Sequence, residues 1–215
     1  MRVYVRSAWR AVLVSAVLTV VAGGASSCLA LQQGAGDDLG PGTFLIAPRR
    51  AADPNFAGTV VLLVRLDDSG ALGLVINRPT DLLVSRVLQD YKPARHVKDR
   101  AFSGGPVQAD ALLALYRSAK KPDDASPVFR DVYIVSTRSA LERVLRLKTD
   151  ARNLRIYLGY TGWGPGQLEH EMDLDVWRVL PADADSVFAA DPSAVWQRLI
   201  ERTELRFAFL VEPPY

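Results

Sequence analysis

The chain has 215 residues, 49% of them hydrophobic, with 26 lysines and arginines against 24 acids and a formal net charge of +2. That hydrophobic share supports a packed core and sets disorder aside. Arg2, Arg6 and Arg10 crowd the extreme N-terminus, and without them the formal charge is −1, which argues against the basic field of a nucleic-acid binder. Cys28 is the single cysteine and His96 and His170 the two histidines, so no internal disulfide can form and no Cys/His zinc site is expected; no metal site is assigned elsewhere, although paired carboxylates such as Glu169 and Glu171 can hold one.

Met1 to Arg10 is basic, Ala11 to Ala22 is apolar, and Gly23 to Ser27 is small, ending at Cys28. This layout reads as an export segment over 1–28. Its apolar run is too short for a comfortable membrane span, which needs roughly 20 residues. Ala25-Ser26-Ser27-Cys28 resembles a bacterial lipoprotein cleavage site, with Cys28 the lipidated residue, although leucine is usual where Ala25 stands. Plain secretion, an uncleaved anchor and a misassigned start codon stay open beside it. Residues 29–41 read as a polar tether, and 42–215 as one domain.

The domain begins with a short strand, Gly42 to Ala47, and turn chemistry at Asp53-Pro54-Asn55-Phe56. Thr59 to Leu66 is rich in β-branched residues and predicts a buried strand. Asp67 to Gly70 turns it into an antiparallel return strand, Ala71 to Asn77. Thr80 or Asp81 is expected to cap a helix over Leu82 to Gln89. Tyr91 to Arg100 is a charged connection, Ala101 to Pro106 a tight glycine turn, and Ala111 to Tyr116 a strand, with a helix as its close competitor. A loop follows over Lys120 to Pro127, then a strand Val132 to Val135 and a helix Ser139 to Leu147. Leu154 to Tyr160 predicts a strand feeding a glycine loop through Gly166. A helical turn at Gln167 to Asp173 and a strand at Val176 to Leu180 come next. Asp191-Pro192 starts a helix to about Arg202, and Leu205 to Val211 reads as a last strand.

Hairpins with inserted helices lack the alternation of a doubly wound parallel sheet. Several motifs in order carry a resemblance: Gly42-Thr43-Phe44-Leu45-Ile46-Ala47, Asp53-Pro54-Asn55-Phe56, Gly73 to Pro79, Gly104-Gly105-Pro106-Val107, Ser136-Thr137, and Gly159-Tyr160-Thr161-Gly162-Trp163 with Gly166 to Glu171. In these the chain resembles the YqgE/AlgH family of bacterial proteins. The resemblance implies a single-domain α+β fold, a twisted, largely antiparallel, barrel-like sheet flanked by helices. It fixes no reaction; some members carry a transcriptional-regulator label, and members are usually cytoplasmic, from which the export segment departs.

The candidate binding residues are Asn77, Arg78, Gly104, Gly105, Tyr160, Trp163, Gln167, Glu169 and Glu171. Asn77 and Arg78 end a buried strand, where the amide bonds backbone or ligand and the guanidinium grips an anion or stays solvated. Gly104 and Gly105 form either an anion nest or a plain turn. Tyr160, Trp163 and Gln167 either line a cleft or plug the end of the sheet. Glu169 and Glu171 would share a face on a strand and diverge on a helix. The leading expectation is a non-enzymatic module that binds a small polar ligand or peptide, without cofactor or nucleic acid, held at a membrane through Cys28. The alternatives are a hydrolase using Glu169 or Glu171 as base, with no confident catalytic residue, and the regulator that the family label suggests.

Overall fold

The computed structural model describes residues 39–147 and 149–211. The expected export segment over 1–28 with Cys28, and residues 29–38 of the expected tether, lie outside the described residues. In chain order the elements are β1 (Thr43–Ile46), a 3-10 turn (Pro54–Phe56), β2 (Val60–Asp67), β3 (Gly70–Val75), β4 (Pro79–Leu83), α1 (Val84–Val87), a second 3-10 turn (Lys92–His96), β5 (Arg100–Ser103) and β6 (Val107–Arg117). Then come β7 (Ser126–Phe129), β8 (Val132–Val135), α2 (Arg138–Arg146), β9 (Leu154–Trp163), α3 (Gln167–Asp173), β10 (Arg178–Pro181), α4 (Ala184–Val187) and α5 (Ser193–Val211).

The strands form one curled sheet in the order β10-β1-β2-β3-β9-β6-β8-β7, with β5 lying parallel to β9 and β4 antiparallel to β5. The remaining pairings are antiparallel. The result is a curled α+β half-barrel with five helices. It curls far enough to bring β1, next to the β10 edge, against the β7 edge: a Cβ placed on Gly42, just before β1, would lie 2.7 Å from Cβ of Phe129 at the end of β7.

Because helices cover the outside of the sheet, many strands are buried on both faces and read as continuous apolar runs. Alternation splits them. Phe44, Ile46, Leu62, Leu74 and Leu115 face the concave interior with Val195 and Leu199 of α5. Leu45, Val61 and Leu63 face outward beneath Trp163, Leu168 and Trp177. At the other end, Ala114, Tyr133 and Ile156 face outward beneath Val84, Leu141 and Val144 of α1 and α2. Burying two faces of one sheet is why so few strands alternate visibly in sequence.

Five sequence expectations change. The helix at Leu82 to Gln89 shrinks to α1, because Thr80 and Asp81 lie in a strand; the Thr80 hydroxyl donates to the Ala101 carbonyl at 2.8 Å, and Asp81 pairs with Arg100 at 2.5 Å. The turn at Ala101 to Pro106 contains β5, and the loop ending at Pro127 contains the start of β7. The expected final strand, Leu205 to Val211, is the continuation of α5. β9 continues through Thr161 to Trp163, so only Gly164 to Gly166 remain of the expected glycine loop.

Candidate functional site

β9 changes neighbours at Gly159. Before it, Leu154 to Leu158 pair with β6 and β5; after it, Thr161 to Trp163 pair with β3. Gly159 has φ +70, a left-handed conformation that glycine adopts without steric penalty. β6 bulges around it between Val107 and Leu112. The Gly104 N–H donates to the Leu158 carbonyl at 2.8 Å, and the Gly104 carbonyl accepts from the Val75 N–H at 2.9 Å. Gly105, at φ +151, passes so close that a Cβ would overlap the Tyr160 carbonyl and lie 2.6 Å from the Thr161 nitrogen. These glycines thus serve backbone against backbone. The Gly104 N–H is already used inside the sheet, which removes half of the expected anion nest.

Asn77 and Arg78 hold the opposite wall. Asn77 is 8% exposed; its Oδ1 accepts from the Val60 N–H and its Nδ2 donates to the Gly58 carbonyl, both at 2.9 Å. Arg78 donates to the carbonyls of Asn55 and Ala57 at 2.6 and 3.2 Å. Two buried or clamped side chains therefore pin the Asp53–Phe56 turn against the end of β3. Asp53 shapes that turn from within, accepting from the Asn55 N–H at 2.8 Å. Arg78 keeps further N–H groups beyond those two bonds.

Trp163 is 3% exposed and packs outside the sheet, edge to face with Trp177 at 6.2 Å. One oxygen of Glu171 accepts from both indoles, at 2.9 Å from Trp163 and 2.8 Å from Trp177. Its other oxygen accepts from Gln167 at 3.0 Å, and Gln167 in turn accepts from the Gly164 N–H at 3.1 Å. Trp163 is a plug, and Glu171 is the acceptor that makes two buried indoles tolerable. Glu169 sits exposed on α3, turned about 200° away from Glu171 by the helix. The pair of carboxylates needed for acid–base work does not assemble. Tyr160 packs half-buried against the interior core.

A cleft of about 190 Å³ opens at this junction, lined by Asn55, Phe56, Val75, Arg78, Ser103, Gly105 and Pro106. Of the sequence candidates, Arg78 and Gly105 line it. Gly104 and Asn77 lie behind it as braces, and Tyr160, Trp163, Gln167, Glu169 and Glu171 are not among its walls. The lining residues outside the candidate set are Asn55, Phe56, Val75, Ser103 and Pro106. Asn55 and Phe56 belong to a turn that the sequence marked as structural punctuation; only the Arg78 brace, 23 positions away, turns them toward the glycines. Phe56 also touches Trp177 edge to face at 5.4 Å, so the tryptophan plug buttresses one wall.

Next to the cleft residues Val75 and Ser103, β9 buries Arg155 at 4% exposure. Its guanidinium donates to the carbonyls of Ile76 and Ala189 and stacks 4.5 Å over the Phe102 ring. Nε of Arg155 and the Tyr157 hydroxyl have no hydrogen-bond partner among the described residues. Burial pulls the Arg155 pKa down and pushes the Tyr157 pKa up, the nearby guanidinium resisting the latter. Asp99 is raised by burial, then by the charge of Asp150, with Arg155 pulling the other way. Among the described residues no group of three or more His, Cys, Asp or Glu gathers as metal ligands.

A family model described as AlgH-like matches residues 44–208. A UPF0301 protein of Thermobifida fusca is 37% identical over 188 residues, covering 81% of this chain and 92% of that one. A second, from Thioalkalivibrio sulfidiphilus, is 36% identical over 162 residues, covering 74% and 87%. The solution structure of AlgH from Pseudomonas aeruginosa superimposes with a TM-score of 0.64 at 31% identity, covering 81% of this chain and 95% of that one. A crystal structure of a Corynebacterium diphtheriae protein, at 22% identity and a TM-score of 0.66 over 77% and 87%, shares the fold. The curled sheet, the glycine junction at the bend of β9 and these matches agree: the chain belongs to the AlgH-like, UPF0301 family.

Proposed function

We propose that the protein is a non-enzymatic binding module whose site is the cleft between the Asp53–Phe56 turn and the Ser103–Pro106 bend. The observation that carries this is the composition of its walls. Phe56, Val75 and Pro106 supply an apolar surface, while Asn55, Ser103 and Arg78 supply polar tips on a braced backbone. Such a mixture orients a ligand by a few polar groups while burying its apolar part. No carboxylate, imidazole or thiol stands in the lining. A volume of about 190 Å³ is below the roughly 300 Å³ at which drug-sized pockets begin. It suits one side chain of a peptide, or a small polar ligand with an acidic or amide group directed at Arg78.

The test is a fragment and short-peptide screen by two-dimensional NMR on the full chain. Shifts should concentrate at Asn55, Phe56, Ser103 and Gly105. The double substitution Asn55→Ala with Ser103→Ala should weaken a hit by about tenfold, the worth of one or two hydrogen bonds. Hits that map elsewhere, or that bind the double variant unchanged, would remove this cleft from consideration.

A further inference from the structure

The outer layer formed by α1, the 3-10 turn Lys92–His96 and α2 is basic out of proportion to the domain. Residues 84–98 carry four lysines and arginines against Asp90, and α2 carries three arginines against Glu142. The three elements cover one face of the sheet, because Val84 and Leu88, Ala94, and Leu141 and Val144 share a single apolar cluster. Arg138 of α2 lies 4.6 Å over the Tyr91 ring at the start of the 3-10 turn, tying the two together. On this face Arg138, Arg143 and Arg152 are neutralised by Glu142, Asp124 and Asp150. Arg86, Lys92, Arg95, Lys98 and Arg146 are exposed and lie in no ion pair among the described residues.

Large aliphatic side chains border these cations. Leu82 is 50% exposed, Leu83 39% and Leu147 63%. Leu82 and Leu83 end β4 and lead directly into α1, and Leu147 caps the C-terminus of α2, so each adjoins one of the two basic helices. Exposed leucines beside unpaired cations are the composition of a surface that lies on a membrane: the cations meet anionic headgroups and the leucines enter the acyl boundary. A nucleic-acid surface needs the cations but gains nothing from the leucines. The α1 helix is also too short, at four residues, to enter a groove.

We infer that the α1–α2 face docks on a bilayer surface rich in anionic lipid, with Leu82, Leu83 and Leu147 as its apolar contacts. This surface is separate from the proposed ligand cleft, so either can fail alone. Were the N-terminal segment to hold the chain at a membrane, this face would give the domain a fixed orientation on it.

The test places an environment-sensitive fluorophore on Leu147→Cys in the full chain carrying Cys28→Ser, and a second on Leu174→Cys, which is 63% exposed and lies outside this face. Vesicles of phosphatidylcholine alone and with phosphatidylglycerol are then added. The Leu147→Cys probe should shift to shorter wavelength with phosphatidylglycerol vesicles and the Leu174→Cys probe should not. That contrast reads the orientation of the domain and holds whatever the N-terminal segment itself binds. Arg86→Glu, Arg95→Glu and Arg146→Glu together should reduce the Leu147→Cys shift at least tenfold at equal lipid, with circular dichroism unchanged. Equal shifts at both positions, no shift at Leu147→Cys, a shift indifferent to lipid charge, or tighter retention of duplex DNA than of anionic vesicles would each overturn the inference.

Discussion

In the C-terminal half of β9 the indole of Trp163 meets Glu171, which is held by Gln167 and shared with Trp177, so every polar atom of that cluster has a partner. In the N-terminal half, two strand positions apart on one face, the Arg155 Nε and the Tyr157 hydroxyl are buried with none among the described residues. The same strand therefore carries a closed polar network outside the sheet and an incomplete one inside it. A closed network is a stabilising device, since each donor is answered and removal of the acceptor orphans two indoles. Polar residues that cluster in sequence are thus poor guides to a ligand site when they satisfy one another.

The largest effect should come from the hinge between the two halves. Gly105→Ala should destabilise by about 3 kcal/mol or more, or prevent folding, because a Cβ overlaps backbone that cannot yield and φ is unfavourable for any other residue. Urea unfolding measures this, and a loss under about 1 kcal/mol would show that the β9 bend has slack. Next, Glu171→Ala leaves two buried N–H donors without an acceptor, at about 1–3 kcal/mol each before relaxation. Glu171→Gln keeps an acceptor oxygen and should recover more than half of that loss; equal losses for the two variants would mean the carboxylate charge, and not the acceptor, is what matters.

The interior half responds differently. The folded-state pKa of Asp99 is raised, so the folded protein holds the proton more tightly than the unfolded chain. Its contribution is therefore present below the ordinary carboxylate pKa and lost as pH rises through the raised value. Asp99→Asn should raise the Tm at pH 7 relative to wild type, and the difference should vanish near pH 3. A constant difference across that range would exclude titration of Asp99 as the cause. The smallest effect should be Tyr157→Phe. Removing a buried hydroxyl that has no well-aligned hydrogen bond and only a loose contact with the Arg155 guanidinium should leave stability within about 0.5 kcal/mol of wild type, or above it, against a loss of about 1 kcal/mol for Trp163→Phe, which gives up both packing and a bond. Equal losses would erase the contrast between the two halves.

Much of the strand order along the chain was legible in the residues. Thr59 to Leu66 and Ala71 to Asn77 read as a hairpin and form one, shifted at their ends, because β-branched runs around a turn carry their own instruction. α2 was legible from the helical spacing of Leu141, Val144 and Leu145, although it begins at Arg138 under a Thr137 cap rather than at Ser139. β4, β5 and β7 were not, since Pro79 to Leu83 and Ser126 to Phe129 have weak intrinsic strand signals and gain their conformation from partners far along the chain. The lining of the cleft was legible only in part. Arg78 and Gly105 stood out by type, but Asn55, Phe56 and Ser103 are ordinary turn and strand residues until the Arg78 brace and the β5–β9 pairing bring them to one place.

What the amino-acid sequence determined alone was local: where the chain turns, which runs are apolar, and which family pattern the motifs follow. What only the tertiary structure decided was the use of each polar group. Trp163, Glu171 and Asn77 could have faced a ligand by residue type. They face one another or the backbone instead, because a polar group buried by the curling of the sheet must find its partner inside the fold, and which partner it meets is set by how the strand ends and helices pack together.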